Sequence, residues 1–134
     1  MFAYNLDHVA VAVRDLDVAV ARHRQLYRVE PLYREVVESQ GVEEAMLPLG
    51  GSFLQLLAPL TEDSPVGRFL AKSGEGLHHI AFAVADVDAA LQHLASQGAR
   101  LVDLHARRGG RGTRIAFVHP EASSGTLVEL VEMP

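Results

Sequence analysis

The sequence predicts an α+β fold in which two tandem βαβββ modules form one curved sheet of eight strands. The main observation is an internal repeat: LDHVAVAVRDLDVAV at 6–20 and LHHIAFAVADVDAAL at 77–91 agree at eight of fifteen positions, namely Leu, His, Ala, Ala, Val, Asp, Asp and Ala. A second observation is that each repeat leads into the same succession of strand and turn patterns. The third is that both copies place a histidine at the same point, His8 and His79. Function is therefore expected where the two modules meet.

Each element of the first module is predicted from its apolar period and from the residues that bound it. Alternating apolar residues indicate the strands, Asp15 is a favourable N-cap for the helix, and Gly50-Gly51 is a favourable hairpin turn. The predicted elements are a strand at 5–13, a helix at about 16–28, and strands at 32–42, 43–48 and 52–58.

The second module repeats this order, with Asp86 as the expected N-cap of its helix and Gly98 as the helix end. Its predicted elements are a strand at 77–84, a helix at 87–97, and strands at 99–104, about 113–118 and about 126–132. Between the modules, Ser64-Pro65 predicts the start of a short amphipathic helix. The chain is expected to be a single domain, 1–134, with modules at about 1–60 and 77–134 and a linker at about 61–76.

The composition favours a compact, soluble, cytoplasmic protein. A chain of 134 residues with 49% hydrophobic residues can bury a core, and without cysteine it must bind any metal through nitrogen and oxygen atoms. The formal net charge of −5 argues against a nucleic-acid partner, because such binding depends on Lys and Arg that neutralise phosphates. No apolar run approaches the roughly 20 residues of a membrane span, and Met1 leads almost directly into a strand rather than into a signal segment.

Four polar residues lie at equivalent places in the two modules. His8 and His79 each share a strand face with alanines two and four residues further on, so each has room around it. Gln55 and Glu129 each interrupt a nearly continuous apolar strand, where a carboxylate without a cation or hydrogen bonds would be costly. A single strand histidine is more often a hydrogen-bonded structural residue, and a single Gln or Glu often lies at a sheet rim. Together, the four residues predict the ligand set of one divalent metal.

Longer motifs carry a resemblance to a known family. They are LDHVAVAV at the start, QGVEEAMLPLG in the first hairpin, LQLLAPL, DSPVGRFLAKSGEGLHHIAFAV across the linker, and GTRIAFVHPEASSGTLVEL at the end. GEGLHHIAF, FVHP and the glutamate of the first hairpin are the most specific of these. The sequence is similar to the vicinal oxygen chelate, or glyoxalase, superfamily and, within it, to the methylmalonyl-CoA epimerases. The resemblance implies a glyoxalase-like fold over nearly the whole chain.

The resemblance also implies an activity and a set of site residues. The activity is the metal-dependent interconversion of (2R)- and (2S)-methylmalonyl-CoA, in propionate metabolism, by α-proton abstraction through an enolate intermediate. The implied metal ligands are His8, Gln55, His79 and Glu129, with Co²⁺ as the first choice of ion and Mn²⁺, Ni²⁺ or Zn²⁺ as alternatives. The implied acid/base residues are Glu44 and, in addition to its role as a ligand, Glu129. A homodimer is implied as well.

The residue types suit this chemistry. Four protein ligands leave two positions of an octahedral ion for the thioester and carboxylate oxygens of the substrate, and the ion stabilises the developing enolate as a Lewis acid. Removing and returning a proton on opposite faces requires two groups with pKa values raised towards neutrality by a dry site. Glu43, where an apolar residue is expected, departs from the family pattern. Strand alternation lets only one of Glu43 and Glu44 face the site.

Two other classes of function remain open. One is another metal-dependent member of the superfamily, such as a lactoylglutathione lyase or a ring-cleaving dioxygenase. Gln55 counts against both, because the lyase usually has a glutamate there and the dioxygenase needs more open metal positions. The other class is a metal-free small-molecule-binding protein of this fold, which would typically lack the ligand histidines that this chain retains.

A glycine-rich segment, RRGGRGTR, offers a further binding element. Its arginines could contact the phosphates of coenzyme A, or the segment could be a solvated loop. The arginines concerned are Arg107, Arg108, Arg111 and Arg114. His78 and His119 are expected to be structural.

Overall fold

The computed structural model describes residues 2–134, which form eight strands and three α-helices. The strands are β1 Ala3–Ala12, β2 Tyr33–Val37, β3 Val42–Leu49, β4 Ser52–Pro59, β5 Gly76–Val84, β6 Arg107–Arg108, β7 Arg114–Val118 and β8 Val128–Glu132. The helices are α1 Leu16–Tyr27, α2 Pro65–Ser73 and α3 Val87–Ser96. None of the helices in this described range has the length and apolarity needed to cross a membrane.

All eight strands belong to one mixed sheet, in the order β2-β3-β4-β1-β5-β8-β7-β6. Within each module the first strand lies beside the last, since β1 pairs in parallel with β4 and β5 pairs in parallel with β8. The other strand pairs within the modules are antiparallel. The duplication in the sequence is thus a duplication of topology, and the predicted α+β fold of tandem βαβββ modules is confirmed.

The chain divides into two compact units whose bounds differ from those of the modules. The first unit is His8–His78, and the second is the chain up to Asp7 together with His79–Pro134. The linker helix α2 therefore belongs to the first unit.

In the first unit, strand alternation places the two faces of β1 against two different helices. The larger residues Val11 and Val13 pack in a cluster with α1, whereas the small residues Ala10 and Ala12 pack in a cluster with α2. Burying an aliphatic side chain contributes roughly 1.5–3 kcal/mol, so both helices are fixed mainly by these contacts. The face that carries His8 is the face of small residues, as the sequence predicts.

In the second unit, the two faces of β5 likewise pack against different elements. Ile80 and Phe82 pack in a cluster with α3, whose buried residues face them. The opposite face of β5 carries Ala81, which packs in a smaller cluster with Ile115 and Phe117 of β7. This second face is the one that carries the repeat histidine.

Helix α2 begins where the sequence predicts. Ser64 is the N-cap, its hydroxyl accepts a hydrogen bond from the Gly67 amide, and Pro65 takes the first helical position. A β-carbon at Gly67 would lie 2.5 Å from the carbonyl oxygens of Thr61 and Glu62, so only glycine fits this close approach.

The strand predicted at 99–104 is wrong. The segment makes only an isolated bridge to β7, at Leu101. The Phe117 carbonyl accepts from two successive amides of the segment, and the Asp103 carboxylate accepts from the Phe117 amide. A side chain therefore takes the place of a backbone ladder, and regular pairing with β7 begins only at β6.

The second predicted strand is also shorter than expected. Instead of continuing to 42, β2 ends at Val37, because Glu38–Gln40 form a 3₁₀ helix. This helix ends at Gly41, whose φ of 67° is in the left-handed region that glycine adopts at little cost.

Candidate active site

Buried polar residues single out the site. Within residues 2–134, eight polar or charged residues are buried: Asp7, His8, Glu44, Gln55, Ser64, His79, Thr113 and Glu129. Ser64 and Thr113 are explained locally, because each hydroxyl donates to a carbonyl three residues earlier in the chain. Asp7 pairs with an arginine. The remaining five are the residues that the sequence predicts as metal ligands or acid/base groups.

In the first unit, His8 and Gln55 project from the same face of neighbouring strands. Gln55 of β4 lies opposite Ala10 of β1, and His8 lies two residues before Ala10. The two side chains are almost fully buried, with exposed fractions of 2% for His8 and 7% for Gln55. Because α2 packs on this face, the surroundings are apolar, and polar atoms there need partners.

Glu44 shares this face from the adjacent strand. Met46 of β3 lies opposite Gln55, so Glu44, two residues earlier, projects from the same side. The Gln55 amide donates from Nε2 to Glu44 Oε2 at 3.1 Å, and Glu44 is buried. Glu43 faces the other way, where its Oε2 accepts from Arg34 at 3.3 Å. Of the two adjacent glutamates, the one beside Gln55 is therefore Glu44.

In the second unit, His79 lies beside Glu129. Nε2 of His79 is 3.4 Å from Oε1 of Glu129, and both side chains are buried. Glu129 of β8 lies opposite Ala81 in the pairing with β5 and opposite Phe117 in the pairing with β7. The Phe117 ring makes an edge contact with the His79 ring, with centroids 5.3 Å apart and an interplanar angle of 90°. The imidazole is thus buried away from bulk water, with the edge contact of the Phe117 ring on one side.

The donor set fits a divalent metal ion. His8 in the first unit, and His79 and Glu129 in the second, are buried residues that each offer one ligand atom. Gln55 Oε1 is also buried, and within residues 2–134 it has no hydrogen-bond partner, whereas the amide nitrogen of the same side chain donates to Glu44. A buried carbonyl without a partner costs about 1–3 kcal/mol, and a bound cation would remove that cost. Imidazole, amide and carboxylate donors suit Co²⁺, Mn²⁺, Ni²⁺ and Zn²⁺ alike.

The arginines of the glycine-rich segment do not act as one cluster. Arg108 lies opposite Arg114 in the β6–β7 pair. Nη2 of Arg114 donates to Asp88 of α3 at 2.9 Å, and this hydrogen bond raises the pKa of Arg114 above its ordinary value. The side of β7 that carries Arg114 is therefore the side on which α3 packs.

Asp7 is the buried residue that sequence reasoning misses. Its Oδ2 lies 2.6 Å from Nη2 of Arg111, which is one of the predicted phosphate contacts. Arg111 has a φ of 59°, an uncommon conformation for a residue with a side chain. The signal in the sequence that could have identified Asp7 is its position directly before a strand histidine. Its partner lies 104 residues away, a separation that no local pattern spans.

The two histidines expected to be structural have contacts of that kind. His119 is the N-cap of a 3₁₀ helix, Pro120–Ser123, and its Nδ1 accepts from the Glu121 amide at 3.0 Å. The His78 ring makes an edge contact with Phe69 of α2, with centroids 4.9 Å apart.

Comparison with known proteins gives consistent matches over nearly the full length. Residues 7–117 match the Glyoxalase/Bleomycin resistance protein/Dioxygenase superfamily. The ethylmalonyl-CoA/methylmalonyl-CoA epimerase of Cereibacter sphaeroides is 36% identical over 130 residues, which are 96% of this chain and 97% of the relative.

Solved structures agree with this assignment. A variant of Streptomyces coelicolor methylmalonyl-CoA epimerase in complex with 2-nitronate-propionyl-CoA has a TM-score of 0.94 at 47% identity, covering 98% of this chain and 95% of that chain. A methylmalonyl-CoA epimerase in complex with methylmalonyl-CoA and NH4+ has a TM-score of 0.94 at 46% identity, covering 99% of this chain and 96% of that chain. The chain belongs to the glyoxalase superfamily and, within it, to the methylmalonyl-CoA epimerase family.

Proposed function

We propose that this chain is an isomerase that interconverts (2R)- and (2S)-methylmalonyl-CoA. The observation that carries the proposal is the Gln55 side chain. Its amide nitrogen donates to the buried Glu44, and its buried oxygen is without a hydrogen-bond partner in the described chain. Gln55 is thus both a contact of the candidate acid/base group and a candidate metal ligand. Relatives that are named for this substrate, or have it bound, support the same activity.

The proposed metal ligands are His8, Gln55, His79 and Glu129, with Co²⁺ as the first choice of ion. Their support is that all four are buried, His8 and Gln55 on the sheet face that carries Ala10, and His79 and Glu129 on the face that carries Ala81. When bound, a divalent ion supplies Lewis-acid stabilisation of the negative charge that develops on the substrate during proton removal.

The acid/base roles fall to Glu44 and Glu129. Glu44 removes the α-proton from one face of the substrate, and Glu129 gives a proton to the opposite face; the roles reverse for the other substrate epimer. The hydrogen bond from Gln55 fixes the orientation of the Glu44 carboxylate, which lowers the entropy lost in reaching the transition state. The edge contact of Phe117 with His79 keeps that part of the site dry.

The proposal retains the homodimer and the cytoplasmic location that the sequence predicts. Support for the dimer is the exposure of Tyr4 and Leu6 on β1, which leaves apolar surface for a second copy to cover. Sedimentation equilibrium of the purified chain checks the dimer directly.

Exchange of the substrate α-proton in heavy water tests the activity. The purified chain should incorporate deuterium into methylmalonyl-CoA and convert either epimer to a mixture of both. Chelation should stop the exchange, and added divalent ion should restore it. A chain that catalyses no exchange with any of Co²⁺, Mn²⁺, Ni²⁺ or Zn²⁺ would rule out the proposed activity.

Metal content tests the ligand set separately. We expect His79→Ala to release most of the bound metal from a protein that remains folded. His105→Ala, which removes an exposed loop histidine, is the matched control and should keep the full metal content. Equal metal content in the two variants would remove His79 from the ligand set.

A further inference from the structure

We propose that Arg107 binds an anionic oxygen group of the substrate, on the sheet face that carries His79 and Glu129. The inference rests on the proposed function, because the ligand is the acyl-CoA substrate. It identifies which arginine of the glycine-rich segment contacts that substrate. The observations are the strand register, the contacts around one aromatic ring and the partial exposure of the Arg107 side chain.

The register places Arg107 on the same face as His79. In the antiparallel β6–β7 pair, Arg107 lies directly opposite Ile115. Directly opposite residues of such a pair project from the same side of the sheet. Ile115 packs in one cluster with Ala81 and Phe117, and Ala81 lies two residues after His79 on β5. Arg107 therefore projects on the side of the candidate metal ligands.

The next arginine projects on the other side. Arg108 lies opposite Arg114, and Arg114 is bound to Asp88 of helix α3. Helix α3 packs on the face of the sheet away from His79. Two neighbouring residues of equal charge thus lie on opposite faces, which makes Arg108 a matched control for Arg107.

The Phe117 ring links Arg107 to the buried site. The guanidinium carbon of Arg107 lies 5.5 Å from the centroid of this ring, in a cation–π contact. The same ring makes its edge contact with His79. One aromatic ring thus separates the guanidinium from an imidazole that is proposed to hold the metal.

Asp103 holds Arg107 in place without burying it. The Asp103 carboxylate accepts from Nε of Arg107 at 3.3 Å and from the Phe117 amide at 2.8 Å. The Arg107 side chain is nevertheless 36% exposed, so it lies partly at the surface, where a ligand can reach it. A guanidinium with a fixed stem loses little entropy when it binds a carboxylate or phosphate through its planar set of donors.

An acyl-CoA substrate offers two sources of this ligand chemistry. One is the free carboxylate of the methylmalonyl group, and the other is the phosphates of coenzyme A. Methylmalonyl-pantetheine separates them, because it keeps the carboxylate and the thioester but has no phosphate.

Steady-state kinetics of Arg107→Ala, Arg107→Lys and Arg108→Ala with both substrates test the proposal. Loss of a charge-assisted contact should raise KM for methylmalonyl-CoA about tenfold or more in R107A, with a smaller change in kcat. R107K keeps the charge but not the planar donors, so its KM should rise several-fold. R108A should remain within about twofold of the wild type.

The pantetheine substrate then identifies the source. A defect of R107A seen only with methylmalonyl-CoA assigns the contact to the phosphates, and an equal defect with both substrates assigns it to the carboxylate. If R107A and R108A have the same KM with both substrates, the proposal is overturned. If R107A does not fold, an unchanged KM in R107K overturns it. An inactive wild type is a failure of the proposed function, which is a different result.

Discussion

At the scale of single residues, burial separates two adjacent glutamates that are chemically equal. Glu44→Gln keeps the size of the side chain and removes its capacity to carry a proton to and from carbon. We expect this variant to lose roughly 10²-fold or more in the rate of α-proton exchange, the scale of positioned acid–base catalysis. Its metal content should be unchanged, because Glu44 is not a proposed ligand. Exchange followed by proton NMR in heavy water gives the rate.

Glu43→Gln is the matched control for this prediction. The Glu43 side chain is 35% exposed and bound to Arg34 on the other face of β3, and exposed ion pairs of this kind contribute about 0–1 kcal/mol. We therefore expect nearly normal exchange and nearly normal stability. An inactive E43Q with a normal E44Q would show that the acid/base group is Glu43, on the opposite face of β3 from the one proposed. Two normal variants would show that neither glutamate of β3 takes part in the chemistry.

The five site residues could be predicted from the sequence because the internal repeat and the strand period indicate which positions face the core. His8 and His79 follow from self-comparison of the sequence, and alternation within β3 predicts that only one of the adjacent glutamates faces inward. The sheet face of Arg107 and the burial of Asp7 cannot be predicted from the repeat or from the strand period. The face of Arg107 depends on the pairing of β6 with β7, and a strand of two residues leaves no periodic trace.

At the scale of elements, Gly109 controls the position of β6. A β-carbon there would lie 2.7 Å from Ile115 Cγ2 and 2.7 Å from Thr113 Oγ1, so β6 would have to move away from β7. We expect Gly109→Ala to lower the free energy of unfolding by about 1–3 kcal/mol, as overpacking does. Urea denaturation measures this loss, and KM for methylmalonyl-CoA should rise as in R107A, because Arg107 moves with the strand.

Gly51→Ala is the control for this steric argument. A β-carbon at Gly51 would meet nothing within 4 Å, so a small change in stability and an unchanged KM are expected. If Gly109→Ala proves as harmless as Gly51→Ala, the packing of β6 on Ile115 does not fix Arg107.

The cap of helix α2 is a second element whose loss should be measurable. Ser64 accepts from the Gly67 amide and donates to the Thr61 carbonyl, and α2 covers the small-residue face of β1. We expect Ser64→Ala to lower the free energy of unfolding by about 1 kcal/mol, measured by urea denaturation. Ser73→Ala, at the exposed last residue of the same helix, should have almost no effect. Equal losses would show that the cap is not what stabilises α2.

Local signals predict the capped helices and the β3–β4 hairpin well, because caps and turn glycines act within a few residues. The segment before β6 shows where such signals fail. The alternation of apolar and polar residues at 99–104 is typical of a strand. However, the Asp103 carboxylate accepts a hydrogen bond from the Phe117 amide, and the backbone is irregular there. Whether a side chain replaces a backbone acceptor depends on tertiary contacts, and the periodicity of one segment gives no information about them.

At the scale of the whole molecule, the duplication predicts how much metal the chain binds. The first module supplies His8 and Gln55, and the second supplies His79 and Glu129, so each contributes two of the four proposed ligands. We expect one divalent ion per chain rather than one per module. Metal analysis of the purified protein against its absorbance measures this ratio, and two ions per chain would contradict a shared site.

The proposed sharing of the site also predicts how the ion affects stability. A ligand that binds only the folded chain stabilises it by about 2.7 kcal/mol at a free concentration 100 times Kd. We expect Co²⁺ to raise the free energy of unfolding of the wild type by this amount and to have little effect on His8→Ala or His79→Ala. The double variant should lose hardly more of the metal effect than either single variant, because residues that bind one ion act as a unit and their effects do not add. Half of the metal effect remaining in each single variant, and none in the double, would indicate two independent sites instead of one. Thermal and urea unfolding of the four proteins, each with Co²⁺ and with chelator, distinguishes these outcomes.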